Sequence, residues 1–382
     1  MKIAFVYDAV FPYVKGGGEK RIHEIAVRLA ARGHDVHLIG MKWWDGPDSI
    51  IWDGITLHGI CPSQSLYTQG RRSISQALRF SLSLVQFLLK QKFDIIECQQ
   101  FPYFPCFSVK LASVVKKTPF VIVWYEVWGD YWYNYLGWAG AGGKCTERLL
   151  GFLTKNHIAI SARTSRSLHD QVIGTDVPVF PIGISREQIE SVPALQERWD
   201  LVFVGRLIRD KHADLLVTAF KKLAEKSPEL TLLILGDGPE KETISNQIRN
   251  SSCRDRIALQ PFLESHDQVI ARMKAANVFV LPSTREGFGI TALEALACGL
   301  PVVTVNHPDN AICDLITPEN GFLSTLVADD LAAKIRLALD RYPAMKDACT
   351  ASAADYTWDR ILPSMERYYQ SRIPQQNKGP EL

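Results

Sequence analysis

The sequence lacks most of the features that would specialise it at the level of composition. It has no run of about 18 uncharged apolar residues, and its longest candidate, residues 80–89, is too short to cross a bilayer. An integral membrane protein is therefore excluded. Charge of one sign is also missing: 43 Lys and Arg stand against 41 Asp and Glu, a net charge of +2 that gives no global field for nucleic acid. The eight Cys, at 61, 98, 106, 145, 253, 298, 313 and 349, form no C-x-x-C pair and no zinc-finger spacing with His, so they read as reduced, mostly buried thiols. Asp-x-Asp, H-E-x-x-H and G-x-S-x-G are absent. A divalent ion thus has no obvious ligands, and His23, His34 and His37 receive no chemistry. Neither metal nor cofactor is expected. The apolar start is interrupted at Asp8 and has no small-residue cleavage site, so a cytoplasmic protein is expected.

What is present is the balance of a globular protein: 382 residues, 47% hydrophobic and 22% charged, with a mean hydropathy of −0.03. That length calls for more than one core, and two domains are expected. Residues 2–7 read as a strand, Gly16, Gly17 and Gly18 as a turn, and Ile22, Ile25, Ala26 and Leu29 as one face of a helix. Gly33 stops that helix and residues 36–40 form the next strand, giving a βαβ unit. Strands follow at 95–97, 120–124 and 158–161, with helices at 73–91 and 105–116. A Pro-punctuated passage at 178–200 reads as a linker. A second alternating series then has strands at 201–204, 231–235, 257–259, 278–281 and 302–304. The fold class is α/β, with an N-terminal domain over 1–185 joined by a C-terminal helix at 358–372, and a second domain over 198–357. The last ten residues look frayed.

The most informative segment runs from Ser283 to Pro301. It follows a buried strand, turns at Gly287 and Gly289, and enters a helix over 290–298. The amides of Phe288, Gly289 and Ile290 would then stand at the positive end of that helix, a cradle for phosphate. Glu294 lies one turn in, about 6 Å beyond the helix start at ~1.5 Å per residue, within reach of a ribose attached to that phosphate. Glu286 sits eight residues earlier, at the loop edge.

This E-x7-E arrangement around Gly287-Phe288-Gly289 resembles the signature of retaining, family-4-type glycosyltransferases of the twin-Rossmann, or GT-B, fold. Three further segments resemble the same family: 12–19 with Gly16-Gly17, Val204-Gly205-Arg206-Leu207 with Lys211, and Leu235-Gly236-Asp237-Gly238-Pro239. With Thr357-Trp358-Asp359 before the last helix, the resemblance spans nearly the whole chain. It implies two Rossmann-like, doubly wound parallel-sheet domains facing across a cleft. It assigns Glu294 to the nucleotide ribose, Glu286 to the donor sugar, and Arg206 and Lys211 to the diphosphate leaving group. Gly16, Gly17, Gly18 and Gly238 join the substrate-binding set. Many relatives carry His-Glu after the strand that ends here at Trp124, where this chain reads Tyr125-Glu126; Tyr125 and Glu126 are still counted with the site. A phenol donates a hydrogen bond but cannot act as an imidazolium. Residues 306–310 (NHPDN) also depart from the small Gly-containing turn of many relatives.

The resulting expectation is a metal-independent, retaining transfer of a sugar from a UDP- or GDP-sugar to a hydroxyl of a glycan or lipid-linked acceptor. The donor is assigned to the second domain and the acceptor to the first, near Gly16–Gly18 and the aromatic stretch 124–138. A nucleotide-sugar epimerase, a phosphorylase and a non-catalytic sugar-binding protein are the alternatives. Dinucleotide oxidoreduction is disfavoured because neither glycine cluster completes G-x-G-x-x-G. Residues 80–89, flanked by Arg71, Arg72, Arg79 and Lys90, and the aromatic stretch read either as core or as a peripheral contact with the inner face of an anionic membrane.

Overall fold

The computed structural model describes residues 1–68 and 71–374; the tail expected to fray lies, from 375 onward, outside the described residues. Two compact units divide the chain, one of Met1–Pro181 with Asp359–Leu382, the other of Ile182–Trp358.

The first unit is built on β1 (Lys2–Val6), β2 (Asp35–Lys42), β3 (Ser49–Trp52), β4 (Ile55–Pro62), β7 (Ile95–Gln99), β8 (Phe120–Trp124) and β9 (His157–Ala159), with β5 (Tyr67–Thr68) and β6 (Arg71–Arg72) forming a separate pair. The sheet order is β3-β4-β2-β1-β7-β8-β9. Every pairing in it is parallel except β3 with β4. Parallel strands covered on both faces must be apolar throughout, and β1, β7 and β8 are buried along almost their whole length. The β3–β4 hairpin and β5–β6 are additions to the sequence reading. Asp53 and Gly54, at φ 49° and 77°, make the hairpin's two-residue turn.

The C-terminal helix Trp358–Arg372 is held in this unit by polar ties. Glu366 accepts from Arg32 and faces His34 at 2.8 Å, and Tyr368 donates to the carbonyl of His157 at 3.2 Å.

The second unit has β10 (Trp199–Val204), β11 (Leu232–Leu235), β12 (Ile257–Gln260), β13 (Ala276–Leu281), β14 (Val302–Val305) and β15 (Gly321–Ser324). Their order is β12-β11-β10-β13-β14-β15, parallel throughout. β15 is absent from the sequence reading; it opens on Gly321, where a Cβ would lie 2.3 Å from the carbonyl oxygen of Val302. The passage 178–200 is more ordered than its weak periodicity suggests. Val179 bridges to Ala159, Ile184 bridges to Thr357, and a helix spans Arg186–Ser191.

In both sheets the chain leaves a central strand in one direction and returns on its other side. The reversals fall at β1/β7 and at β10/β13, which are the positions where open α/β sheets bind ligands at their carboxyl ends.

Candidate active site

In the second unit the loops after β10 and β13 are laced together. The amide of Thr284 donates to the carbonyl of Asp210 at 2.9 Å, and Ser283 Oγ donates to the same carbonyl at 3.0 Å. This ties the two cations expected at the site to the glutamate loop. Lys211, in the single turn Arg209–Lys211, forms an ion pair with Glu286 and donates to the carbonyl of Arg285 at 3.2 Å. Glu286 is itself fixed by its backbone, bridging to Asn310. Arg206 lies on the same loop with its side chain exposed. The tight turn below it is packed against 236–238. A Cβ on Gly238, which sits at φ 154°, would meet the carbonyl oxygen of Leu207 at 2.4 Å.

Gly289 caps the helix Ile290–Ala297 from the left-handed region, at φ 89°, and a Cβ there would fall 2.2 Å from Cγ1 of Ile312. Only glycine brings the chain into the helix along this path. The first amides of the helix therefore open on the carboxyl end of β13, outside its own hydrogen-bond ladder. Phe288 contributes its backbone here, because its ring is buried with its centroid 5.8 Å from that of Tyr356.

Glu294 is more enclosed than a solvent-facing ribose ligand. It is only 3% exposed, and its Oε1 lies 2.8 Å from Nε2 of His266, the first residue of the helix His266–Met273. His266 is absent from the sequence reading. No spacing links residues 28 apart, and only the fold brings the two helix starts together.

In the first unit, Gly16 caps the helix Gly17–Ala31 without a side-chain bond. Gly18 lies against Tyr125; a Cβ on it would be 3.5 Å from the phenol oxygen. That phenol donates to Oε1 of Gln99 at 2.9 Å, and burial pushes its pKa up, so it stays a neutral donor. Glu126 bonds the indole of Trp128, and its carbonyl accepts from Gln100 at 3.0 Å.

Beneath this layer lies a second group that the sequence reading missed. Arg21 is fully buried, pairs with Glu97 at 2.9 Å, and leaves Nε and Nη2 without hydrogen-bond partners. Glu97 also accepts from Tyr369 of the C-terminal helix and from Gln99 at 3.1 Å. The ion pair thus connects the glycine-loop helix, β7 and the C-terminal helix around the residues that hold Tyr125.

The aromatic stretch divides between two roles. Trp124 and Trp132 are core, and Trp128 stacks among Phe101, Tyr131, Trp132 and Tyr135. Glu147, also unforeseen, accepts from the amides of Trp128 and Gly129 and from the hydroxyl of Tyr103 at 2.7–2.8 Å, and fixes the turn; its burial raises its pKa. Trp138, by contrast, is 91% exposed. Among the described residues, no group of three or more His, Cys, Asp or Glu is placed to hold a metal ion.

Comparison with known proteins agrees with this geometry. Residues 185–354 match the family described as Glycosyl transferases group 1, and residues 15–188 match Glycosyltransferase Family 4. The chain is 23% identical over 386 residues to the gpi3 subunit of phosphatidylinositol N-acetylglucosaminyltransferase of Schizosaccharomyces pombe, covering 97% of this chain and 81% of that one. It is 26% identical over 211 residues to a GDP-mannose-dependent alpha-(1-6)-phosphatidylinositol dimannoside mannosyltransferase of Mycobacterium tuberculosis, covering 53% and 54%. Among solved structures, sucrose-phosphate synthase of Thermosynechococcus elongatus superposes with a TM-score of 0.80 at 20% identity, over 97% of this chain and 98% of that one. Two consecutive family matches over 15–354 and a shared two-sheet fold place the chain among the family 4, group 1 glycosyltransferases of the GT-B fold.

Proposed function

We propose that the protein transfers a sugar, with retention of anomeric configuration and without a metal ion, from a UDP- or GDP-sugar to a hydroxyl of a glycan or lipid-linked acceptor. The observation that carries this reading is the joining of Arg206, Lys211, Glu286 and the Gly289 helix start on two hydrogen-bonded loops at one strand-order reversal.

Departure of a nucleoside diphosphate builds negative charge on the leaving oxygen. In this reading Arg206 and Lys211 oppose that charge, the amides after Phe288 bind phosphate, and Glu294, oriented by His266, holds the ribose hydroxyls. Glu286 has a double duty. It orients Lys211 in the unliganded protein and accepts from a donor-sugar hydroxyl when the donor is bound. Front-face attack, with the leaving phosphate taking the acceptor's proton, suits a site with no carboxylate assigned as nucleophile. The acceptor is assigned to the first unit, beside Gly16, Gly17, Gly18, Tyr125 and Glu126. The names of two relatives, one acting on phosphatidylinositol and one on phosphatidylinositol dimannoside, support a lipid-borne acceptor.

A thermal-shift screen of UDP-, GDP- and ADP-sugars tests the donor, because a ligand bound to the native state raises its apparent stability. A shift with one nucleotide class, followed by product of unchanged anomeric configuration in the presence of EDTA, is the expected result. Failure of all three classes to shift the protein, or inversion in the product, overturns the reading. Product without any acceptor would indicate epimerisation, and dependence on orthophosphate would indicate a phosphorylase.

A further inference from the structure

The acidic residues of this nearly neutral chain are not evenly spread. Residues 54–93 contain no Asp or Glu and five Lys or Arg, and residues 98–125 contain none and three more. Of the two acids between these stretches, buried Glu97 pairs with Arg21, while Asp94, which accepts from the amide of Lys2, is exposed and is the one surface carboxylate between them. Arg72 is spent on buried Asp8. The remaining cations include Arg79, Lys90, Lys92 and Lys117 at the surface, with Lys110 and Lys116 partly exposed.

These residues frame two neighbouring helices, Ile74–Lys90 and Phe104–Lys116, joined where Ser108 Oγ donates to the carbonyl of Ser81 at 2.8 Å. Both bury one face in the same core, through Phe80, Leu84 and Leu88 on the first and Cys106, Val109 and Ala112 on the second. Their other faces are also apolar. Ile74, Leu78 and Leu82 recur every fourth residue on the first helix, and Leu111, Val114 and Val115 stand out on the second; Leu82 is 71% and Val114 63% exposed. A helix that only covers a sheet needs one apolar stripe. Two adjacent helices that each carry a second one, with cations around them and no carboxylate in either sequence, have the chemistry of an interfacial surface.

We propose that this face docks on the anionic surface of a bilayer, with the leucine and valine ridge entering the acyl boundary and the lysines and Arg79 lying at headgroup level. Charge complementarity selects this occupant. A second copy of the chain would bring the same cations against one another, and nucleic acid would leave the ridge unburied. The proposal deepens the lipid-borne acceptor reading above, but docking requires no sugar donor, so the two fail separately.

Co-sedimentation of the full chain with phosphatidylcholine vesicles, with and without about 30% phosphatidylglycerol, tests it. Binding to the anionic vesicles alone is expected, weakening at least tenfold as salt rises from roughly 0.05 to 0.5 M. Leu82→Ser with Val114→Ser should lower that binding at least tenfold, and Lys90→Glu with Lys117→Glu should lower it about fivefold for each charge. All four positions are exposed, and unchanged circular dichroism and melting of these variants without ligand serve as the control for folding. Equal binding to neutral vesicles, no binding at low salt, wild-type binding by the variants, or a dimer in light scattering that Leu82→Ser dissolves would each overturn the proposal.

Discussion

His266 Nε2 and Glu294 Oε1 meet at 2.8 Å and join two helix starts that lie at the carboxyl ends of different strands, β12 and β13. A carboxylate only accepts, so the imidazole donates and fixes Oε1, which orients the carboxylate that the proposed function assigns to the ribose. Glu294→Ala should therefore weaken nucleoside diphosphate binding by roughly 1–3 kcal/mol, the scale of a hydrogen bond to a charged group. His266→Ala should raise the KM for donor with little change in kcat, and His266→Gln, which keeps a donor, should recover most of it. Calorimetric titration with UDP and GDP checks the first, and steady-state rates at varied donor concentration check the second. Unchanged affinity in Glu294→Ala would move the ribose elsewhere.

Lys211 meets Glu286 with both side chains about one-seventh exposed, which is enclosed enough for their charges to matter and open enough for substrate to replace one of them. Arg206→Ala and Lys211→Ala are each expected to cut kcat by on the order of 10²-fold or more while circular dichroism and melting stay near wild type. Lys211→Arg should restore part of the loss. Near-normal turnover in both alanine variants would remove the diphosphate from this loop.

The βα alternation and the glutamate loop were legible in the sequence because each rests on local pattern, whereas the strand order with its reversals is set by long-range pairing. Buried parallel strands are short apolar runs, and Gly287 with Gly289 marks a turn that opens a helix. The hairpin of Ser49–Trp52 with Ile55–Pro62 was equally local and was missed, although Asp53-Gly54 between two β-favouring segments is a recognisable turn pair. Gly59 and Pro62 obscured it, since both weaken a strand reading. What could not be read is what the fold alone assembles. Arg21 and Glu97 are 76 residues apart, Glu97 and Tyr369 are 272 apart, and neither pair leaves a spacing signature. The aromatic stretch was ambiguous for a related reason: burial separates Trp132 from Trp138, and the sequence pattern does not.

Gly289 sits at φ 89° with Ile312 directly behind it. Gly289→Ala adds a methyl group where the backbone is strained for any L side chain and where an aliphatic neighbour must move. A loss of about 1–3 kcal/mol in stability is expected, together with weaker nucleotide binding as the helix start turns away. Chemical denaturation measures the first and the UDP and GDP titrations the second. An alanine variant as stable and as tightly binding as wild type would show that the turn is not needed.

His37 and His58 stack on the first sheet with centroids 5.2 Å apart and planes 8° from parallel, Nδ1 of the first lying 2.9 Å from Nε2 of the second. Burial, with His37 and Lys2 nearby, lowers the pKa of His58 to about 4, and burial lowers that of His37 as well. Asp35, which faces His37 at 3.0 Å, opposes the shift. In the unfolded chain an imidazole titrates near 6.5. Above that pH both states are neutral and the histidine contributes no pH dependence. As pH falls from about 6.5 toward 4, the unfolded state takes up a proton that the folded state refuses, so stability falls through this window and levels off below it. One such proton changes stability by up to about 1.4 kcal/mol per pH unit, and by less here because the ring is partly exposed. His58→Gln keeps a hydrogen-bonding side chain but cannot titrate, so its melting temperature should fall less steeply than wild type between pH 6.5 and 4. Parallel melting profiles for the two proteins would show that His58 takes up its proton in the fold as readily as in the unfolded chain.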